Sequence, residues 1–170
     1  MWLFKKRIPA EHLATILFNK LVLEDEEVVL NKILDKKSGI NINTLSEQMF
    51  VYLVSLIAVA LTTEAETQPA IIYTIKKFRQ LTNQEMLKRW NTREEDADTI
   101  IESAGRDLSR LIFTNPKDQP ALSLKWAQDW LGMVRTEEVN PATLFRLSFL
   151  WKNRYIHLMK FLRSFVIVFK

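Results

Sequence analysis

Apolar residues recur three and four positions apart through most of this chain, and the interruptions fall at residues that open or close helices. Pro9 suits a first helical turn, where its missing amide hydrogen costs nothing, and Leu13, Ile16, Leu17 and Leu21 then share one face. Glu24 to Glu27 form an acidic start ahead of Val28, Val29, Ile33 and Leu34. Lys36-Lys37-Ser38-Gly39 then gives a basic last turn closed by glycine. Thr44-Leu45-Ser46-Glu47 reads as a capping box, in which threonine and glutamate satisfy each other's free amides. It launches Met49 to Leu61, apolar on every side apart from Ser55, and so predicts a buried central helix over about 44–63. The apolar run itself is too short to cross a bilayer, and a core helix is the expectation.

Pro69 opens the next segment, with Ile71, Ile72, Ile75 and Phe78 facing inward. Thr82-Asn83-Gln84-Glu85 and Thr92-Arg93-Glu94-Glu95 repeat the capping-box pattern. The second begins the clearest amphipathic stripe, Ala97, Ile100, Ile101, Ala104, Leu108, Leu111 and Ile112. Asn115-Pro116 to Pro120 reads as a connection, and the helix after it buries Leu124, Ala127, Leu131 and Val134, with Trp126 and Trp130 on a neighbouring face. Asn140-Pro141 caps a long C-terminal helix over about 141–168. Its stripe runs through Leu144, Leu147, Trp151, Tyr155, Leu158, Leu162, Phe165 and Phe169, and Phe149, Leu150, Ile156, Phe161 and Ile167 extend the apolar girth around most of the helix. No strand pattern or internal repeat stands out, although Phe165 to Phe169 is β-branched and aromatic enough to leave the helix or pair elsewhere. The prediction is all-α: a single domain over 1–170, a bundle of six or seven helices, with a basic, aromatic segment over 1–8 ahead of the first.

Charge changes this picture at the two ends. The net charge is only +4, yet no acid follows Glu138, while Arg146, Lys152, Arg154, Lys160, Arg163 and Lys170 do. Lys5, Lys6 and Arg7 make the start basic too, so the acids are confined to the middle. Basic ends carrying aromatics point to an anionic partner or surface, unless the acidic middle neutralises them within the fold. Met1 to Phe4 precedes its basic residues rather than following them, the reverse of a secretory signal.

Composition narrows the chemistry. With no cysteine, disulfides, thiolate metal sites and a cysteine nucleophile are excluded. Gly39, Gly105 and Gly132 are too few and too scattered for a phosphate-cradling loop. His12 and His157 have no partner at helical ligand spacing. Glu95, Asp98 and Glu102 do share a helical face and are the candidate magnesium ligands of an all-α hydrolase, although acids also gather near helix N-termini for electrostatic reasons alone.

The leading expectation is therefore a non-enzymatic interaction module without cofactor, joined to a protein partner or to its own copy through Trp151, Tyr155, Phe161, Phe165 and Phe169. The variant reading seats it on an anionic membrane, at the cytoplasmic inner face, through Lys5, Lys6, Arg7, Arg146, Lys152, Arg154, Lys160 and Arg163. A magnesium-dependent hydrolase and a nucleic-acid binder are the alternatives, and the sequence names no small-molecule substrate.

Overall fold

A computed structural model of the chain describes residues 5–24, 42–134 and 141–169, with side chains described at all of these except 42, 43, 131–134, 141–147 and 149. The segment from Asp25 onward of the expected acidic-start helix, the Met1–Phe4 start, Asn140 and the Arg146 side chain lie outside what is described. The architecture is mostly helical, as the periodicity predicts. In chain order it runs β1 (Lys6–Pro9), α1 (Ala10–Ile16) continuing as a π-helix over Leu17–Glu24, α2 (Ile42–Ala65), α3 (Ile71–Trp90), α4 (Glu94–Phe113), α5 (Gln119–Val134), α6 (Pro141–Arg163) and β2 (Phe165–Val168).

α2 is the axis of the bundle. Phe50, Val54, Ile57 and Leu61 enter one apolar cluster with Leu13, Leu17 and Phe78, while Tyr52, Leu53 and Leu56 enter a second with Leu108, Trp130 and Trp151. With two cores to serve, the helix shows no polar face, which is why its sequence reads apolar all round. Thr44–Ala65 is by length and composition able to cross a membrane, with a mean hydropathy of 1.7, but 72% of its most apolar stretch is buried by the surrounding helices. The core of a soluble domain meets the same test. Ser55, fully buried, donates its hydroxyl to the Ile101 carbonyl of α4 at 3.2 Å and so pays no penalty for its place in the core.

Several sequence signals resolve differently from expectation. Thr82-Asn83-Gln84-Glu85 opens no helix: α3 passes through it, with Thr82 and Asn83 buried. A capping box needs a non-helical first residue, and continuing the helix here buries Phe78 and Met86 on the same face. The helix stops instead at Asn91, in the left-handed conformation that asparagine tolerates, with its amide returning to the Leu87 carbonyl at 3.0 Å. α4 begins at Glu94 with no side-chain cap bond from Arg93. On the expected inward faces, Ile72 and Leu124 are exposed.

The ends of the chain depart most from the prediction of helices alone. α6 stops at Arg163, and Phe165–Val168 pairs in parallel with Lys6–Pro9, placing Arg7 opposite Val166 and Ile8 opposite Ile167. Two four-residue strands are too short to stand alone. Ile8 and Ile167 are both buried against the first core cluster, and that burial anchors the pair.

A buried carboxylate fastens this end. Glu64, at the end of α2, accepts hydrogen bonds from Arg163 Nε at 3.0 Å, Thr67 Oγ1 at 2.9 Å and Gln68 Nε2 at 3.2 Å. Gln68 in turn accepts the Ile167 amide of β2 at 3.2 Å. Burial pushes the Glu64 carboxyl up, but these donors and the Arg163 charge outweigh it and hold the group below its ordinary range. The carboxylate therefore stabilises the fold at neutral pH, and its contribution disappears as pH falls through the lowered folded value. Glu64→Gln is expected to cost about 1–2 kcal/mol near neutrality, the scale of a charged hydrogen bond with a partly exposed partner. In denaturant titrations, the gap between Glu64→Gln and the parent protein should narrow once the pH drops below the ordinary glutamate range. A gap unchanged at acid pH would show that the charge is not what holds the strand.

Candidate functional site

The parallel pairing of β1 with β2 brings the two basic ends of the chain to one place. Lys6 lies opposite Phe165 and Arg7 opposite Val166, beside the end of α6 that carries Lys160 and Arg163. Lys5, Lys6, Arg7, Lys152, Lys160 and Arg163 are exposed. Arg163 is tied to Glu64 through Nε, and Arg154 is half-buried, its charge acting on Tyr52. Lys152 donates to Gln119 at 3.1 Å, on the α5 side and away from the strands.

Beyond the strands, Phe169 meets Tyr73 of α3 edge to face, with ring centroids 4.9 Å apart. The junction of β1 and α1 is held against α3 by Thr74, whose buried hydroxyl donates to the Ala10 carbonyl at 3.1 Å. Lys76 and Lys77 follow Tyr73 by three and four residues and so stand on the same helical face, with Lys76 Nζ 5.7 Å from the Tyr73 ring centre. Together with Ala10, Glu11 and Gln80 these residues line an open cleft of ≈ 500 Å3. Phe169 is 62% exposed and Tyr73 51%, beside Lys76 and Lys77, and Val166, opposite Arg7, is 42% exposed. Isolated exposed apolar residues need no explanation, but Tyr73 and Phe169 are in contact and share one cleft with Lys76 and Lys77.

Of the apolar interface candidates, Trp151 is 2% exposed and belongs to the core, where its indole donates to Ser123 at 3.2 Å. Tyr155, Phe161 and Phe165 are half-buried against the first cluster, and Phe169 alone among the five is exposed. Among the described side chains of α6, Trp151, Leu158, Met159 and Leu162 are buried, while Ile156 is exposed.

The acidic candidates do not converge. Glu95 and Glu102 are exposed, while both oxygens of Asp98 are engaged by the Arg79 guanidinium, with Asn83 Nδ2 3.4 Å away. The Arg79 hydrogen bonds hold Asp98 below its ordinary pKa against an opposing effect of burial. Among the described residues, no group of three histidines or carboxylates is arranged to hold a metal ion. His12 and His157 are both exposed.

Phe113, 63% exposed at the end of α4, marks another surface, but its surroundings offer Glu66 and Glu102 as well as Arg106 and Arg110 and so carry no bias toward an anion. The sequence reading missed Tyr73, Lys76 and Lys77. Their i, i+3, i+4 spacing was visible, but their proximity to Phe169 depends on the pairing of two segments more than 150 residues apart. Comparison with family models, curated proteins and solved structures yields no match to this chain.

Proposed function

We propose that this chain is a non-enzymatic helical module that seats on an anionic membrane surface, at the inner, cytoplasmic face. The observation carrying the reading is the β1–β2 pairing, which gathers Lys6 and Arg7, Val166 and Phe169, and Tyr73, Lys76 and Lys77 around one small sheet. Basic side chains supply attraction to acidic headgroups, and the exposed aromatic and aliphatic groups supply interfacial burial. Each alone is weak, and stable peripheral binding generally needs both. Self-association through α6 has less support, since Trp151, Leu158 and Leu162 are already buried by the chain's own helices. A magnesium-dependent hydrolase has less support still, because the Asp98 oxygens are taken by Arg79.

Co-sedimentation with phosphatidylcholine vesicles, with and without phosphatidylglycerol, tests the proposal, with a light-scattering mass recorded alongside. The expected result is binding that requires the anionic lipid and weakens as salt is raised from low to physiological strength, because exposed charges are screened over about 8–10 Å there. Equal binding to neutral vesicles, or none to either, refutes the membrane reading. A dimer mass without vesicle binding would favour self-association, and salt-dependent retardation of DNA or RNA without vesicle binding would favour a nucleic-acid partner.

A further inference from the structure

A half-open pocket with a volume of ≈ 320 Å3 lies between α2, α6 and the π-helix that continues α1. Leu53, Leu56 and Ile57, each only 2% exposed, line it from α2, and Leu21, Leu158 and Phe161 add further hydrocarbon. Its polar groups are Arg154 and His157 of α6, and no carboxylate lines it among the described residues. Three residues apart on one helix, these two stand side by side. Arg154 is half-buried and His157 exposed, so the polar end is the one that meets water.

Hydrocarbon walls with a few polar groups at one end are the usual form of a small-molecule site, and the volume falls at the low end of the roughly 300–1,000 Å3 such sites span. It is about twice the ~150 Å3 that admits benzene, room for one aliphatic chain rather than two. Basic groups without an opposing acid select an anionic head, and a guanidinium matches the two oxygens of a carboxylate. Its five donors let Arg154 hold such a group while keeping its contacts within the fold. His157 offers a ring N–H to the same head in either protonation state.

We propose that this pocket binds a free fatty acid, its single chain laid along Leu53, Ile57 and Leu158 and its carboxylate held by Arg154 and His157. The lining residues are separate from Lys6, Arg7, Tyr73, Lys76, Lys77 and Phe169, so the inference does not rest on the membrane reading.

The test is calorimetric titration of the full chain at neutral pH with dodecanoate, acetate and dodecyltrimethylammonium, without vesicles and below micelle-forming concentrations. The expected result is one saturable site for dodecanoate and none for the other two. Arg154→Gln should weaken dodecanoate about ten- to hundredfold, the range for a lost charged hydrogen bond, and Lys117→Gln, exposed elsewhere, should not. Leu21→Trp, which fills the pocket from a half-buried position, should abolish binding while still melting cooperatively. Equal saturation by dodecyltrimethylammonium would make the pocket an unselective apolar surface, and the proposal falls. It also falls if dodecanoate fails to saturate, if Arg154→Gln and Lys117→Gln lose equally, or if Leu21→Trp binds as the parent does. Loss of anionic-vesicle binding in Leu21→Trp would assign the pocket to a bilayer lipid and likewise overturn the free acid.

Discussion

Trp151→Ala is expected to destabilise the protein by about 3–5 kcal/mol, enough to consume much of the roughly 5–15 kcal/mol that holds an ordinary domain together. The indole is 2% exposed and joins Tyr52, Leu56 and Trp130 in the second core cluster, where α6 crosses α2 and α5. Truncation removes this apolar contact and leaves a cavity that three packed helices can close only in part. It also orphans the buried Ser123 hydroxyl that accepts the indole N–H. Trp151→Phe retains most of the bulk and should cost less, about 1–3 kcal/mol, through the lost hydrogen bond and the smaller ring. Denaturant titration of both variants measures the costs. An unchanged unfolding midpoint in Trp151→Ala, together with lost self-association, would make this face an interface rather than core.

The same residue marks the boundary between what the sequence displays and what it withholds. A stripe at three- and four-residue spacing identifies a buried face, and Leu158 and Leu162 of that stripe are indeed buried. Periodicity does not say whether the covering surface belongs to the same chain. On α6, Trp151, Leu158 and Leu162 are covered by the chain itself, while Ile156 beside them is exposed, a division that the spacing alone does not display. α2 was legible for the opposite reason: a helix apolar on all sides has few places to go except the centre.

The strands were hidden by their length and their separation. Lys6–Pro9 offers only Ile8 as a large buried residue, far below what an alternating pattern needs for detection. Phe165–Val168 has a suspicious β-branched composition, but the stripe of α6 continues into it in phase, so helix and strand readings compete. Their pairing settles the competition through long-range contacts that no local window contains. The acidic cluster shows the complementary failure. Spacing correctly places Glu95, Asp98 and Glu102 along one helix, but the occupant of Asp98 comes from Arg79 on another. Both basic ends are plain in the sequence, but only the β1–β2 pairing shows that Lys6 and Arg7 meet the end of α6 carrying Lys160 and Arg163, while Lys152 lies away from it.

Replacing Lys6, Arg7, Lys76 and Lys77 together by glutamine is expected to weaken association with anionic vesicles by about a thousandfold. A basic side chain near such a surface contributes roughly 1 kcal/mol, and four sum to about 4 kcal/mol, or close to three powers of ten. Stability should change little, because Lys6, Arg7 and Lys76 are exposed and Lys77 loses only a bond to Gln80. The fitting control replaces Lys88, Arg93, Arg110 and Lys117, exposed elsewhere, and takes the net charge from +4 to zero just as the first set does. Equal losses in both would mean that overall charge drives binding. A large loss confined to the first set locates the contact at the sheet. Phe169→Ala then probes the apolar component: its ring is 62% exposed, so its transfer into the interface should contribute up to about 2 kcal/mol. That component should persist at high salt, where the contribution of the four basic residues has been screened away.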